Sequence, residues 1–282
     1  MRPRWHAPGK VTISIGLISK QTEKHHGEII LAADSETGYG DGSKDLDTKK
    51  LHEIQFADGR ILMADAGILK NINLALAFIR DNAHSISMKN WQNVKDVIDK
   101  SMRQVRDSLL EGLNLNDERR SSFLRIDCYF ELLIGFYCGG KPYLVHVDIE
   151  FCNASPVERS DFAAIGIGND LAKYLLKEFK AADAGFALGQ SEAISVIETV
   201  KANVKGCSGP TQVGLVWPMD DTSATVIIDA SDVANTAKAL SKQWIEMDAS
   251  RREALIKSLE RAACGRLGIE IGEHFRGQFK TK

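Results

Sequence analysis

Four β-type segments precede the first helical one in this chain, and no later stretch alternates strand with helix. From Thr12 to Ile18, small or polar residues (Thr12, Ser14, Gly16) alternate with Ile13, Ile15 and Leu17, the period of two of a strand with unlike faces. One face carries hydroxyls. The polar turn KQTEKHHG leads into EIILAAD, so the first two strands form a hairpin that ends on Asp34. After a loop rich in Gly and Asp, the segments LHEIQF and RILMADA make a second hairpin around Ala57-Asp58-Gly59.

Apolar residues then recur at helical spacing over 67–81 and 90–112. Strands are expected at 124–137 and 142–148, helices at 169–181 and 190–204, and strands at 211–217 and 223–229. Two helices, near 231–246 and 249–265, close the chain. Without βαβ alternation the sheets must be antiparallel, with helices on their outer faces. The fold class is therefore α+β: a four-layer αββα sandwich of two antiparallel sheets flanked by helices. Residues 1–11 read as a flexible leader, 12–230 as the sandwich, and 231–282 as a C-terminal helical extension packed on the same domain.

Composition narrows the function classes. A net charge of −2 offers no basic stripe for phosphates, which argues against nucleic acid as a partner. The five cysteines are odd in number and form no CxxC pair, so neither a disulfide framework nor a zinc site is expected, and a reducing cytoplasm fits. The apolar run VTISIGLIS is too short and interrupted for a signal or membrane segment.

Three positions carry candidate chemistry: Thr12 heading strand one, Asp34 ending strand two, and Lys50 sixteen residues later at the entry to strand three. Together with GEIILAADS, KKLHEI and ILMADAG, that spacing resembles the N-terminal part of proteasome β-type subunits and their bacterial relatives, which are threonine N-terminal-nucleophile (Ntn) hydrolases. The resemblance is densest from 12 to about 80, resumes weakly at LLIGFYCGGKPYLVHVD and AIGIGNDLAKYLL, and leaves the last fifty residues without counterpart.

That resemblance implies the Ntn-hydrolase fold, with Thr12 as nucleophile, Asp34 and Lys50 as its charged supports, and the backbone N–H of Gly67 as oxyanion donor. Ser208 within KGCSGP matches a supporting serine, while Lys205 stands where the family carries an acid and Ile167 where it carries another serine. Thr37 and Asp65 fall at the substrate pocket, and a carboxylate at Asp65 implies preference for a basic side chain. A threonine hydroxyl needs a base as it attacks a carbonyl, and in this family the base is the residue's own α-amine, whose ordinary pKa is about 7.7. Lys50 would keep that amine neutral, and Asp34 would hold Lys50. The chemistry calls for no metal or cofactor. It does require Thr12 to become the first residue, by loss of residues 1–11 or by a translation start at Val11.

Three readings stay open: a peptidase working on peptide or protein substrates in a homo-oligomeric ring, fed by an ATP-dependent unfoldase; a catalytically silent assembly subunit with an uncleaved N-terminus; and an Ntn hydrolase of a small amide. His25 and His26 read as solvated turn residues, because adjacent side chains point apart and no third ligand is near. GIGND reads as a tight turn entering a helix, since it lacks a third glycine and a βαβ setting. ERRSSFLR reads as a charged surface connection.

Overall fold

In the computed structural model the described residues are 12–19, 27–38, 44–45, 48–157, 161–179, 186–219, 221–228, 231–236 and 238. The chain divides into two units, Met1–Ala237 and Lys238–Lys282. The expected leader and the last helix fall outside the described residues; of the expected helix at 231–246, residues 231–236 are helical.

The first sheet gathers β1 (Ile13–Ile18), β2 (Ile29–Ala33), β10 (Phe162–Gly166), β11 (Gln212–Met219) and β12 (Thr222–Ile227) in the order β10-β1-β2-β11-β12. A second runs β5-β6-β7-β8-β9, from β5 (Leu51–Gln55), β6 (Arg60–Gly67), β7 (Phe130–Cys138), β8 (Lys141–Asp148) and β9 (Asn153–Pro156). A two-residue ladder joins β3 (Thr37–Gly38) to β4 (Lys44–Asp45). Every ladder in the two large sheets is antiparallel.

Alternation decides what each face meets. Ile29, Leu31 and Ala33 of β2 point at Leu51, Leu62, Ala64 and Leu133 of the second sheet, forming a dry layer between the sheets. Ile54, Ile61, Met63, Ile134 and Val145 point the other way, under α1 (Leu69–Ala83) and α2 (Trp91–Leu110). On the far side, α4 (Asn169–Phe179) and α5 (Phe186–Asn203) cover β10, β1 and β2. The described residues thus form the expected αββα layers. On β1, a Cβ at Gly16 would meet Leu144 of β8, whereas Ile13 lies against Gly168 on the helix side, so the small and hydroxyl residues face the second sheet.

Three expectations need correction. Residues 124–126 do not begin a strand but end α3 (Asp117–Ile126), which also contains the supposed surface connection. Its signals are local: the Asn116 side chain accepts from Arg119 N–H, and Asp117 and Glu118 sit at the positive end of the helix. The short strands β9 and β10 fall where none was expected; β10 is the edge partner of β1.

Candidate active site

Thr12 stands immediately before β1, at the point where β2 ends beside it. Asp34 N–H donates to the Ile13 carbonyl at 3.1 Å, and the return bond runs from Ile13 N–H to Asp34 Oδ1 at 3.2 Å. The same Oδ1 accepts the Thr12 hydroxyl proton in a short hydrogen bond. Oδ2 accepts from Ser208 N–H at 3.1 Å. Thr12 and Asp34 are buried, at 1% and 0% exposure. Burial pushes the Asp34 carboxyl up to about 7, against the pull of the hydroxyl, the two backbone donors and the Lys50 charge.

Lys50 enters β5 fully buried, with its own N–H donating to Gln212 Oε1 at 2.9 Å. Among the described residues its ion-pair partner is Asp65, 3.7 Å away, so the expected Asp34–Lys50 support takes another form. Asp65 Oδ2 lies 2.7 Å from His52 Nε2, and the Asp65 carbonyl accepts from Ser14 Oγ at 2.7 Å. Asp65 is 0% exposed. It belongs to a buried Lys50–Asp65–His52 cluster, whereas the resemblance implied a carboxylate at the substrate pocket that favours a basic side chain. An isolated buried ammonium would be costly, which explains why a carboxylate faces it.

Ser208 donates its hydroxyl to Glu36, while its carbonyl accepts from Glu36 N–H at 3.1 Å. Beside it, Cys207 is buried, and burial together with the Asp34 and Glu36 carboxylates raises its thiol far above the ordinary range. The thiol therefore stays protonated and does not compete as a nucleophile. Lys205 is exposed, and so is Ile167, at 44%. Thr37 pairs with Asp45 in the β3–β4 ladder. His25 and His26 lie outside the described residues.

Gly67 closes β6 with φ +130, and a Cβ there would stand 2.5 Å from both the Phe130 Cα and the Tyr129 carbonyl. Only glycine fits so close to backbone. On the other side of Thr12, Ile167 N–H donates to the Thr12 carbonyl at 2.9 Å. A cavity of about 300 Å³ opens beside the cluster, lined by Ser35, Lys49, Pro210, Thr211, Gln212 and Ile227 among others. Sequence reasoning missed the roles of His52, Gln212 and Glu131, whose partners lie on neighbouring strands or across the sandwich. Among the described residues no group of three or more His, Cys, Asp or Glu is placed to hold a metal ion, and no helix is long and apolar enough to cross a membrane.

No family model matches the chain, and no curated protein does. Solved structures do. The Gly-1 mutant of Anbu from Hyphomicrobium sp. strain MC1 superposes with a TM-score of 0.61 at 17% identity, covering 87% of this chain and 97% of that one. Anbu from Yersinia bercovieri, described as an ancestral beta-subunit, gives 0.63 at 14% identity over 83% of this chain and 95% of that one. A further Anbu structure from the Hyphomicrobium strain gives 0.55 at 17% identity over 87% and 97%. Identities this low speak for the fold alone: the chain adopts the four-layer αββα sandwich of these structures, the Ntn-hydrolase fold.

Proposed function

We infer that this protein is a proteasome-like threonine hydrolase that cleaves amide bonds by acyl transfer to Thr12. The observation that carries this reading is the Thr12 hydroxyl donating to a buried carboxylate on which the Lys50 charge also acts. Thr12 Oγ1 attacks the amide carbonyl, and its proton passes to Asp34 while residues 1–11 are in place. With those residues removed, the α-amine of Thr12 is the acceptor. The Gly67 N–H donates to the developing oxyanion. The leaving amine takes up the transferred proton, and an ester remains on Thr12. Water then attacks the ester and gives its proton to the same base; the bond to Oγ1 breaks, Oγ1 takes that proton back from the base, and the acid is released.

This reading expects a homo-oligomeric ring, with peptide or protein substrates delivered by an ATP-dependent unfoldase; the likeness to a structure described as an ancestral beta-subunit supports a subunit role. The cavity joins Pro210, Ile227 and Ile228 to the exposed Lys49. That lining favours an apolar or acidic substrate residue over a basic one. Peptide amides carrying Leu, Glu and Arg before the scissile bond are the test: Arg outperforming the other two removes this specificity.

Burial favours a second reading, because Thr12 and Lys50 are each only 1% exposed, as suits a silent assembly subunit. Intact mass after incubation with a β-lactone, which opens on an activated hydroxyl to leave an ester, decides between them. The hydrolase reading expects one adduct mapped to Thr12 and none in Thr12→Ala. An unmodified wild-type protein favours the silent subunit.

A further inference from the structure

Outside the Thr12–Asp34–Lys50 group, a second polar cluster stands at the start of β7. The Glu131 carboxylate accepts the Tyr129 hydroxyl on Oε2 in a short hydrogen bond, and Oε1 lies 3.0 Å from His146 Nε2 on β8. Its remaining contact crosses to the other sheet: Gly166 N–H donates to Oε2 at 3.3 Å. The Glu131 side chain is only 14% exposed, against 38% for His146. A carboxylate buried this far persists only when its lone pairs are met, and here partners from β8, from β10 and from the residue before β7 meet them.

What Glu131 holds is the turn that fixes the nucleophile's backbone. Gly166 sits at φ +90, and a Cβ on it would lie 2.2 Å from the Thr12 carbonyl oxygen. The next residue, Ile167, gives that oxygen its hydrogen bond. The same strand start also carries the Gly67 side of the site. Ile68 N–H donates to the Tyr129 carbonyl at 2.9 Å, and Gly67 pairs with Phe130. Residues 129–131 therefore touch both the turn behind Thr12 and the strand end that carries the candidate oxyanion donor.

We propose that Glu131 is a positioning residue that locks the Gly166–Ile167 turn and through it sets Thr12 against Gly67. This rests on the hydrolase reading for its catalytic part and on geometry alone for its structural part. Nothing in the arrangement asks Glu131 to touch substrate. Its carboxylate comes from the second sheet, close to the turn where Ile167 stands in place of a supporting serine.

The test pairs amide hydrogen exchange with esterification of Thr12 by a β-lactone, both on the full chain. In Glu131→Ala, exchange at Gly166 and Ile167 rises by about tenfold while α2 amides stay unchanged, and Thr12 esterification slows by about tenfold. Glu131→Gln keeps an oxygen that accepts from Gly166 and recovers most of both effects, which a general loss of stability would not do. Unchanged exchange at Gly166 and Ile167 in Glu131→Ala overturns the proposal. Should that variant fail to fold, His146→Ala carries the test: loss of one donor loosens the same two amides by about threefold, and no loosening overturns it. If the wild-type protein forms no ester yet Glu131→Ala still loosens these amides, the positioning stands and the hydrolase reading falls.

Discussion

Burial acts on Asp34 more strongly than any of its partners does, and this makes its carboxyl sensitive to pH near neutrality. Its carboxyl titrates near 7 in the folded chain against 3.8 ordinarily. A group raised in this way contributes stability that is complete below the lower value and is lost as pH climbs through the upper one. Asp34→Asn removes the titration, so the Tm of wild type minus that of the variant should fall between about pH 4 and pH 8. A difference that stays level would show that the carboxyl ionises freely in the fold. At this scale the sequence was half legible. Thr12, Asp34 and Lys50 stood out because hydroxyl, acid and base fell at strand ends, where side chains converge. The partners of Asp65 were not legible, since spacing from Gly67 says nothing of a lysine and a histidine that meet it from the neighbouring strand.

Among the elements, the junction from β6 to α1 is held as closely as any turn of the site but the one at Gly166. At Gly67 a methyl group would collide with backbone rather than with a yielding side chain, and φ +130 adds strain. Gly67→Ala should cost about 2 kcal/mol or more by chemical denaturation, and should slow esterification of Thr12 in addition. By contrast, Asn90→Ala removes only the cap that accepts Gln92 N–H at 2.8 Å and should cost about 1 kcal/mol without touching the site. The hairpins and the long helices were legible because their periods of two and 3.6 run over many residues. The α3 helix was not, as only Phe123 and Leu124 mark its apolar side. Nor was β10, five residues whose strand character comes from pairing with β1 a hundred and fifty positions earlier.

For the whole molecule, stability divides between a helix-covered core and the thinner layer between the sheets. Leu31 is fully buried in that layer, so Leu31→Ala should cost roughly 2–5 kcal/mol, read as a lower unfolding midpoint with an unchanged m-value. A cost below about 1 kcal/mol would mean that the sheets close over the gap. The four layers followed from element order alone, but which side chains cross between them did not, since the crossing is set by how the sheets stack. Gln212 is the clearest case. From β11 of one sheet its amide accepts from Lys50 N–H at 2.9 Å and donates to the Thr48 carbonyl at 2.7 Å, both on the segment entering the other sheet. A side chain here imitates a neighbouring strand, pinning the two sheets like a dowel between boards. Sliding one sheet over the other must break both bonds, so any shear transmitted through an assembly reaches the buried lysine directly.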